Sequence, residues 1–264
     1  MILLRDVMKG EWKVATIVGV HGAFHQLWGP WEIWNRWAPA IRDGLWQAGA
    51  DLDPDEIRMA FYGDIFRVNI DEGRPSDEEL LAIARDAGLT EAIEELAGPD
   101  GLEVIANAVG KQSLRQMINQ LGRYFADDDL RTRVRARLEA VIDADTRVVV
   151  AHSMGTVVAY EALVEHPEWP VETLFTIGSP LGNDWVFDGL RPAPVAGIGT
   201  WPGSINRWVN VASVGDQAID EPRLANRFGD GVTDLGVDNG HRAHDAEPYL
   251  NAPTTGRALA DALG

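Results

Sequence analysis

The stretch from Thr146 to His166 changes character at a single point. Ahead of Ser153 runs Val148-Val149-Val150, a short β-branched run of the kind that forms a strand buried on both faces. Behind Gly155 the apolar residues Val157, Val158, Tyr160, Leu163 and Val164 recur at helical spacing. Only Ala151-His152-Ser153-Met154-Gly155 separates the two patterns. A chain that passes from strand to helix in so few residues turns sharply and needs small side chains on both sides of the turn. The spacing therefore predicts Ser153 at the tip, its hydroxyl exposed above a helix N-terminus.

Composition sets the frame for that feature. A chain of 264 residues suits one large domain and can bury roughly 70–75% of its unfolded surface. The 45% hydrophobic and 24% charged content is that of an ordinary globular protein. The lack of cysteine excludes disulfides, thiolate metal sites and a cysteine nucleophile. With 41 acidic residues against 23 Lys plus Arg, the net charge of −18 repels nucleic acid and anionic membrane surfaces. The start, Met-Ile-Leu-Leu-Arg-Asp, does not read as a signal peptide, and no stretch is long and apolar enough to span a membrane. A cytoplasmic protein without membrane insertion is the expectation.

Strands and helices alternate along the chain. Residues 12–22 read as a central strand ending in His21-Gly22-Ala23-Phe24, and residues 57–62 as the next. Between about 64 and 126 the alternation is interrupted by helical stretches: one opened by a capping box at Ser76-Asp-Glu-Glu79, one around Ala92–Leu96, and one through Leu114, Met117, Ile118 and Leu121. This segment is read as an inserted helical cap. Asp127-Asp128-Asp129 opens a helix whose apolar set runs to Val141 and Ile142; the three acids suit a helix N-terminus. Further strands are expected at 171–178, 207–213 and 233–238, an irregular loop near the site at 183–203, and a last helix around 255–263. The fold class is α/β, a mostly parallel central sheet with helices on both faces.

Ligands of open parallel sheets bind at the carboxyl ends of the strands, and three such ends carry chemistry here. A serine hydroxyl needs a base to take its proton, and the base needs a third group to hold its tautomer. Ser153 follows one strand, Asp216 follows Gly215 at the end of a later one, and His241 and His244 follow the last. Asp184 is a second candidate for the acid and Asp220 a third. No pair of histidines stands at metal-ligand spacing with a carboxylate partner, so neither a metal nor a cofactor is expected.

The small-x-Ser-x-Gly turn, with the order Ser, acid, His, resembles the α/β-hydrolase superfamily and within it serine esterases and lipase-like enzymes; Ala151 stands where that family's turn has its first glycine. The resemblance runs from the first strand to the last helix and is weakest over 64–126. It implies Ser153 as nucleophile, Asp216 as acid and His244, ahead of Tyr249-Leu250, as base, with His241 as the rival. It also implies an oxyanion hole from the Met154 N–H and that of Ala23 or Phe24, because a strand ending in His21-Gly22 resembles the family's oxyanion strand. His152 is expected to pack beside the serine, and His25 to border the site. Five of the ten tryptophans fall in residues 28–46; Trp28, Trp31, Trp34 and Trp37 share a spacing of three that reads as one side of a helix or of an irregular turn, with Gly29-Pro30 breaking any helix after Trp28. Trp28 and Trp31, next to the oxyanion loop, are expected to line the mouth and to favour an apolar or aromatic acyl substrate, a small molecule. Two rivals remain open: an acyltransferase, thioesterase or cyclase on the same scaffold, and a hydrolase fold used only to bind a ligand.

Overall fold

The computed structural model describes residues 16–67, 75–87 and 118–264. Its strands form one all-parallel sheet of six: β1 Ile17–Val20, β2 Ile57–Ala60, β3 Val148–His152, β4 Thr173–Ile177, β5 Arg207–Ser213 and β6 Val232–Val237, ordered β2-β1-β3-β4-β5-β6. The principal helices are α1 Pro30–Gln47, α2 Asp77–Asp86, α3 Asp128–Glu139, α4 Met154–Glu165 and α5 Pro253–Leu263. None is long and apolar enough to cross a membrane.

Every residue of β1, β3 and β4 is buried, as a central parallel strand covered on both faces requires. The strand period of two then divides the side chains between two apolar layers. Val148, Val150, Phe175, Ile177 and Val211 meet Trp37, Ile41 and Leu45 of α1 and Leu259 of α5. Val149, Ala151 and Leu174 meet Leu130, Val134 and Leu138 of α3 and Val157, Val158 and Leu163 of α4.

The order of the strands fixes where a ligand can sit. From β1 the chain goes to β2 on one side, then crosses back to place β3 on the other side of β1. Connections leave in opposite directions on either side of that pair and open a crevice at their carboxyl ends, the topological switch point. Val20 is level with Ala151, so Gly22 and Ser153 emerge together at this crevice.

Several sequence expectations need correction. The tryptophan spacing does not give one side of a helix. Three residues fall about 60° short of a full turn, so along α1 the ring moves from exposed Trp31, through half-buried Trp34, to buried Trp37. The helix over Asp127–Asp129 stops at Glu139, short of Val141 and Ile142, with Asp127 as N-cap accepting from the Leu130 N–H at 3.0 Å. Within 183–203 the chain forms a short helix, Asp184–Asp188. Past that helix the segment is irregular, as expected, and it touches α4 where the Tyr160 hydroxyl donates to the Thr200 carbonyl at 2.9 Å. The capping box at Ser76 and Glu79 forms as the sequence suggests. Of the expected cap, the stretches around Ala92–Leu96 and at Leu114 and Met117 lie outside the described residues, as does the first part of the strand expected from residue 12.

One buried ion pair ties α3 to α4. Glu161, fully buried on α4, accepts from the Arg131 guanidinium, from the Tyr124 hydroxyl at 2.7 Å and from the Arg191 N–H at 2.9 Å. Arg131 donates in addition to the Gly189 carbonyl at 3.0 Å. A carboxylate in this position is tolerable only while these donors remain, and removing one partner of such a pair costs about 3–5 kcal/mol. Arg131→Met is therefore expected to lower unfolding free energy in urea by that amount. Arg242→Ala, which breaks an exposed pair with Asp245, should change it by less than about 1 kcal/mol; equal effects would show that the buried pair contributes nothing special.

Candidate active site

Ser153 takes φ 51° and ψ −128°, a conformation that L side chains rarely adopt and that costs about 1–3 kcal/mol. The surroundings impose it. Its N–H donates to the Ile177 carbonyl at 3.2 Å, while its carbonyl accepts from the Thr156 N–H at 2.9 Å and the Thr156 hydroxyl at 2.7 Å. Ser179 donates in turn to the Thr156 hydroxyl at 2.9 Å. Two glycines make room for the turn. A Cβ on Gly155 would overlap the carbonyl oxygens of Val20 and His21, and one on Gly22 would lie 2.9 Å from the Ser153 Cβ. Ala151, by contrast, points its methyl into the apolar layer shared with α4.

Three residues from separate strand ends meet at Ser153. The Ser153 Oγ lies 2.9 Å from His244 Nε2, and His244 Nδ1 lies 2.9 Å from Asp216 Oδ2. Asp216 follows Gly215, at φ 76°, on the turn after β5. Its Oδ2 also accepts from the Tyr249 hydroxyl at 2.6 Å, and its Oδ1 from the Ala218 N–H at 3.0 Å. Burial alone would raise the carboxyl's pKa, but these hydrogen bonds, that of His244 foremost, outweigh burial and hold it below the usual aspartate range. An ionised carboxylate only accepts, so His244 presents Nδ1–H to it and leaves the Nε2 lone pair facing the serine hydroxyl. Such a chain can take the proton from Ser153 as its oxygen attacks an electrophile.

The loop holding the imidazole is itself held. His152, on the residue before the serine, donates from Nε2 to the His244 carbonyl at 2.8 Å. Its Nδ1 is buried without a partner among the described residues, and burial pushes its pKa well down. Tyr249, on the short helix Ala246–Leu250, accepts from the Ser213 N–H at 2.9 Å while donating to Asp216. Sequence reading treats Tyr249 only as a marker behind His244; its position three residues into a helix gives no sign of contact with Asp216.

The remaining candidates lie as follows. His241 is exposed and Asp220 likewise; Asp184 is on the surface, paired with Arg227. His21 does not line the crevice. Its ring is fully buried and stacked on Tyr62 at 4.1 Å, with Nε2 accepting from the Tyr62 N–H at 3.2 Å and Nδ1 donating to the Gly22 carbonyl at 2.7 Å. Burial, aided by the neighbouring His25, pushes its pKa down to about 3. Trp28 is half-buried against the layer under α1, with His25 at its edge and the Arg36 guanidinium over its face. Trp31 is 55% exposed and meets Trp34 edge-on. Of the two candidates for the second oxyanion donor, Ala23 and Phe24, the Phe24 N–H is occupied, donating to Gln120 Oε1 at 2.9 Å. The Ala23 and Met154 N–H groups have no acceptor among the described residues.

Compared with protein-family models and with curated protein sequences, the chain matches none.

His21 and His152 are buried as neutral rings, whereas unfolding exposes both to protonation. Below the ordinary histidine pKa of about 6.5, the unfolded chain takes up protons that the native state refuses, so stability falls as pH falls. Together the two rings contribute a slope approaching about 2.7 kcal/mol per pH unit. Urea unfolding between pH 6.5 and 4.5 should show it, and His21→Asn should remove about half; a flat profile would mean that the rings titrate freely in the fold.

Proposed function

We propose that this protein is a serine hydrolase of the α/β-hydrolase type, cleaving a carboxylic ester or thioester through an acyl-enzyme on Ser153. The observation that carries the reading is the unbroken chain Ser153 Oγ, His244, Asp216 at the switch point of a parallel sheet. Simple ligand binding needs neither the costly backbone of Ser153 nor a buried carboxylate aligned behind the imidazole.

In the proposed reaction the Ser153 oxygen attacks the substrate carbonyl carbon as His244 Nε2 removes the hydroxyl proton. The carbonyl electron pair moves to oxygen, where the Met154 and Ala23 N–H groups receive the developing charge. Collapse expels the alcohol or thiol, which leaves with the proton from His244. Water then attacks the acyl-enzyme, giving its proton to His244; the carboxylic acid departs and the proton returns to Ser153. Asp216 holds the imidazole tautomer and offsets the positive charge formed on it.

The loop after β1 presents Phe24, 45% exposed, and Leu27, 72% exposed, beside Ala23. Apolar side chains on this loop favour an apolar or aromatic acyl group.

Ser153 is expected to be labelled by a fluorophosphonate probe, and p-nitrophenyl esters of graded chain length should be hydrolysed. Ser153→Ala should abolish both. Asp216→Asn should lower kcat by about 10⁴ with the fold retained, because the wrong imidazole tautomer then faces the serine. His244→Ala should lose activity and His241→Ala keep it; the reverse result, or an unlabelled wild type, would sink the proposed assignment.

A further inference from the structure

We propose that Gln120 is a positioning residue for the oxyanion loop, holding the Phe24 N–H so that the Ala23 N–H faces a carbonyl oxygen on Ser153. The inference rests on the serine-hydrolase reading and deepens it.

Ala23 lies between two peptide planes, and each is pinned from outside the loop's own backbone. The plane before it carries the Gly22 carbonyl and the Ala23 N–H on opposite edges. That carbonyl accepts from His21 Nδ1 at 2.7 Å and His25 Nδ1 at 3.2 Å, which directs the N–H the other way. Gly22 itself is so close to Ser153 that a Cβ there would touch the serine side chain. The plane after Ala23 carries the Phe24 N–H, and Gln120 Oε1 accepts from it at 2.9 Å.

The second pin is needed because Phe24 has φ 71°. For a bulky residue this left-handed backbone is an outlier costing about 1–3 kcal/mol. Rotation of the Ala23–Phe24 peptide would relieve it and shift Ala23. The carboxamide opposes that rotation at two points, since its Nε2 also donates to Gln26 Oε1 at 2.9 Å. One side chain thus spans the loop from residue 24 to residue 26. Gln120 is only 2% exposed and stands in a π-helical turn, Ile118–Gly122, a wide geometry often found at functional sites. A surface glutamine with incidental contacts would be neither buried nor doubly bonded to a strained loop. The Ala23 N–H, on the first of the two pinned planes, is left without an acceptor among the described residues.

The test is steady-state hydrolysis of a p-nitrophenyl ester by the full chain, with thermal unfolding recorded for each variant. Gln120→Met removes the acceptor at nearly constant volume; it should lower kcat about 10²-fold, the scale of one oxyanion donor, with KM changed less than about threefold. Gln120→Glu keeps an oxygen at the same reach, and Gln26 can rotate its amide to donate to it, so kcat should stay within about tenfold of wild type. If Gln120→Met does not unfold cooperatively, Gln120→Asn, one methylene too short, decides by the same thresholds as Gln120→Met. Unchanged kcat in the acceptor-free variant overturns the inference, as does an equal loss in Gln120→Glu. A rise in kcat overturns it too, by showing that the carboxamide blocks a Phe24 donor. These results count when the wild type is labelled by fluorophosphonate and loses turnover in Ser153→Ala. A wild type that is neither labelled nor active overturns the hydrolase reading and this inference together.

Discussion

The site depends on the close backbone approach between the end of β1 and the first turn of α4. Gly155 lies against the carbonyls of Val20 and His21, and Gly22 lies against Ser153. Neither position has room for a methyl group. Because β1 and β3 are level neighbours, this contact brings the loop after one and the turn after the other to a single point at the switch of the sheet. The unusual φ of Ser153 follows from the same constraint: a chain that must clear β1 and enter a helix within three residues has few other conformations open to it.

Around that contact the molecule builds outward with polar groups that answer one another. Ser153 O is held by Thr156, and Thr156 by Ser179 at the end of β4. Asp216 is held by Tyr249 and Ala218, and Tyr249 by Ser213 at the end of β5. The end of β4 thus supplies a brace, Ser179, and the end of β5 supplies both a brace, Ser213, and the carboxylate of the serine–imidazole–carboxylate chain, Asp216. Buried polar networks of this kind are stable only when every member is satisfied. The Nδ1 of His152, which has no partner among the described residues, is the exception here, and it lies next to Gly22.

The parallel sheet was legible because buried strands advertise themselves. Val148–Val150 and the apolar run before His21 have no other comfortable environment, and the period change at Ser153 marks the turn. Asp216 and His244 could be listed as candidates because strand ends are where such groups can converge. The preference for Asp216 over Asp184 and for His244 over His241 comes from the resemblance and from Tyr249-Leu250 behind His244, whereas the 2.9 Å spacings from His244 to Ser153 and Asp216 exist only in three dimensions. The buried role of His21 was invisible for a different reason. Its partner Tyr62, forty-one residues away, lies just past the end of β2, and stacking leaves no periodic trace in either segment. Gln120 was hidden similarly: it falls in a helical stretch with no motif, and its partners Phe24 and Gln26 lie ninety-odd residues earlier. The tryptophan spacing misled because three residues do not complete a helical turn.

The bond from the His152 ring to the His244 carbonyl joins the strand bearing the serine to the segment bearing the imidazole. Most loops that carry a working side chain can loosen before the scaffold melts, since local opening is less costly than global unfolding. Here the loop is anchored to the innermost strand by a ring that is itself in the core. Warming should therefore leave the serine–imidazole geometry intact until the sheet gives way, so that the site and the fold are lost in one cooperative event.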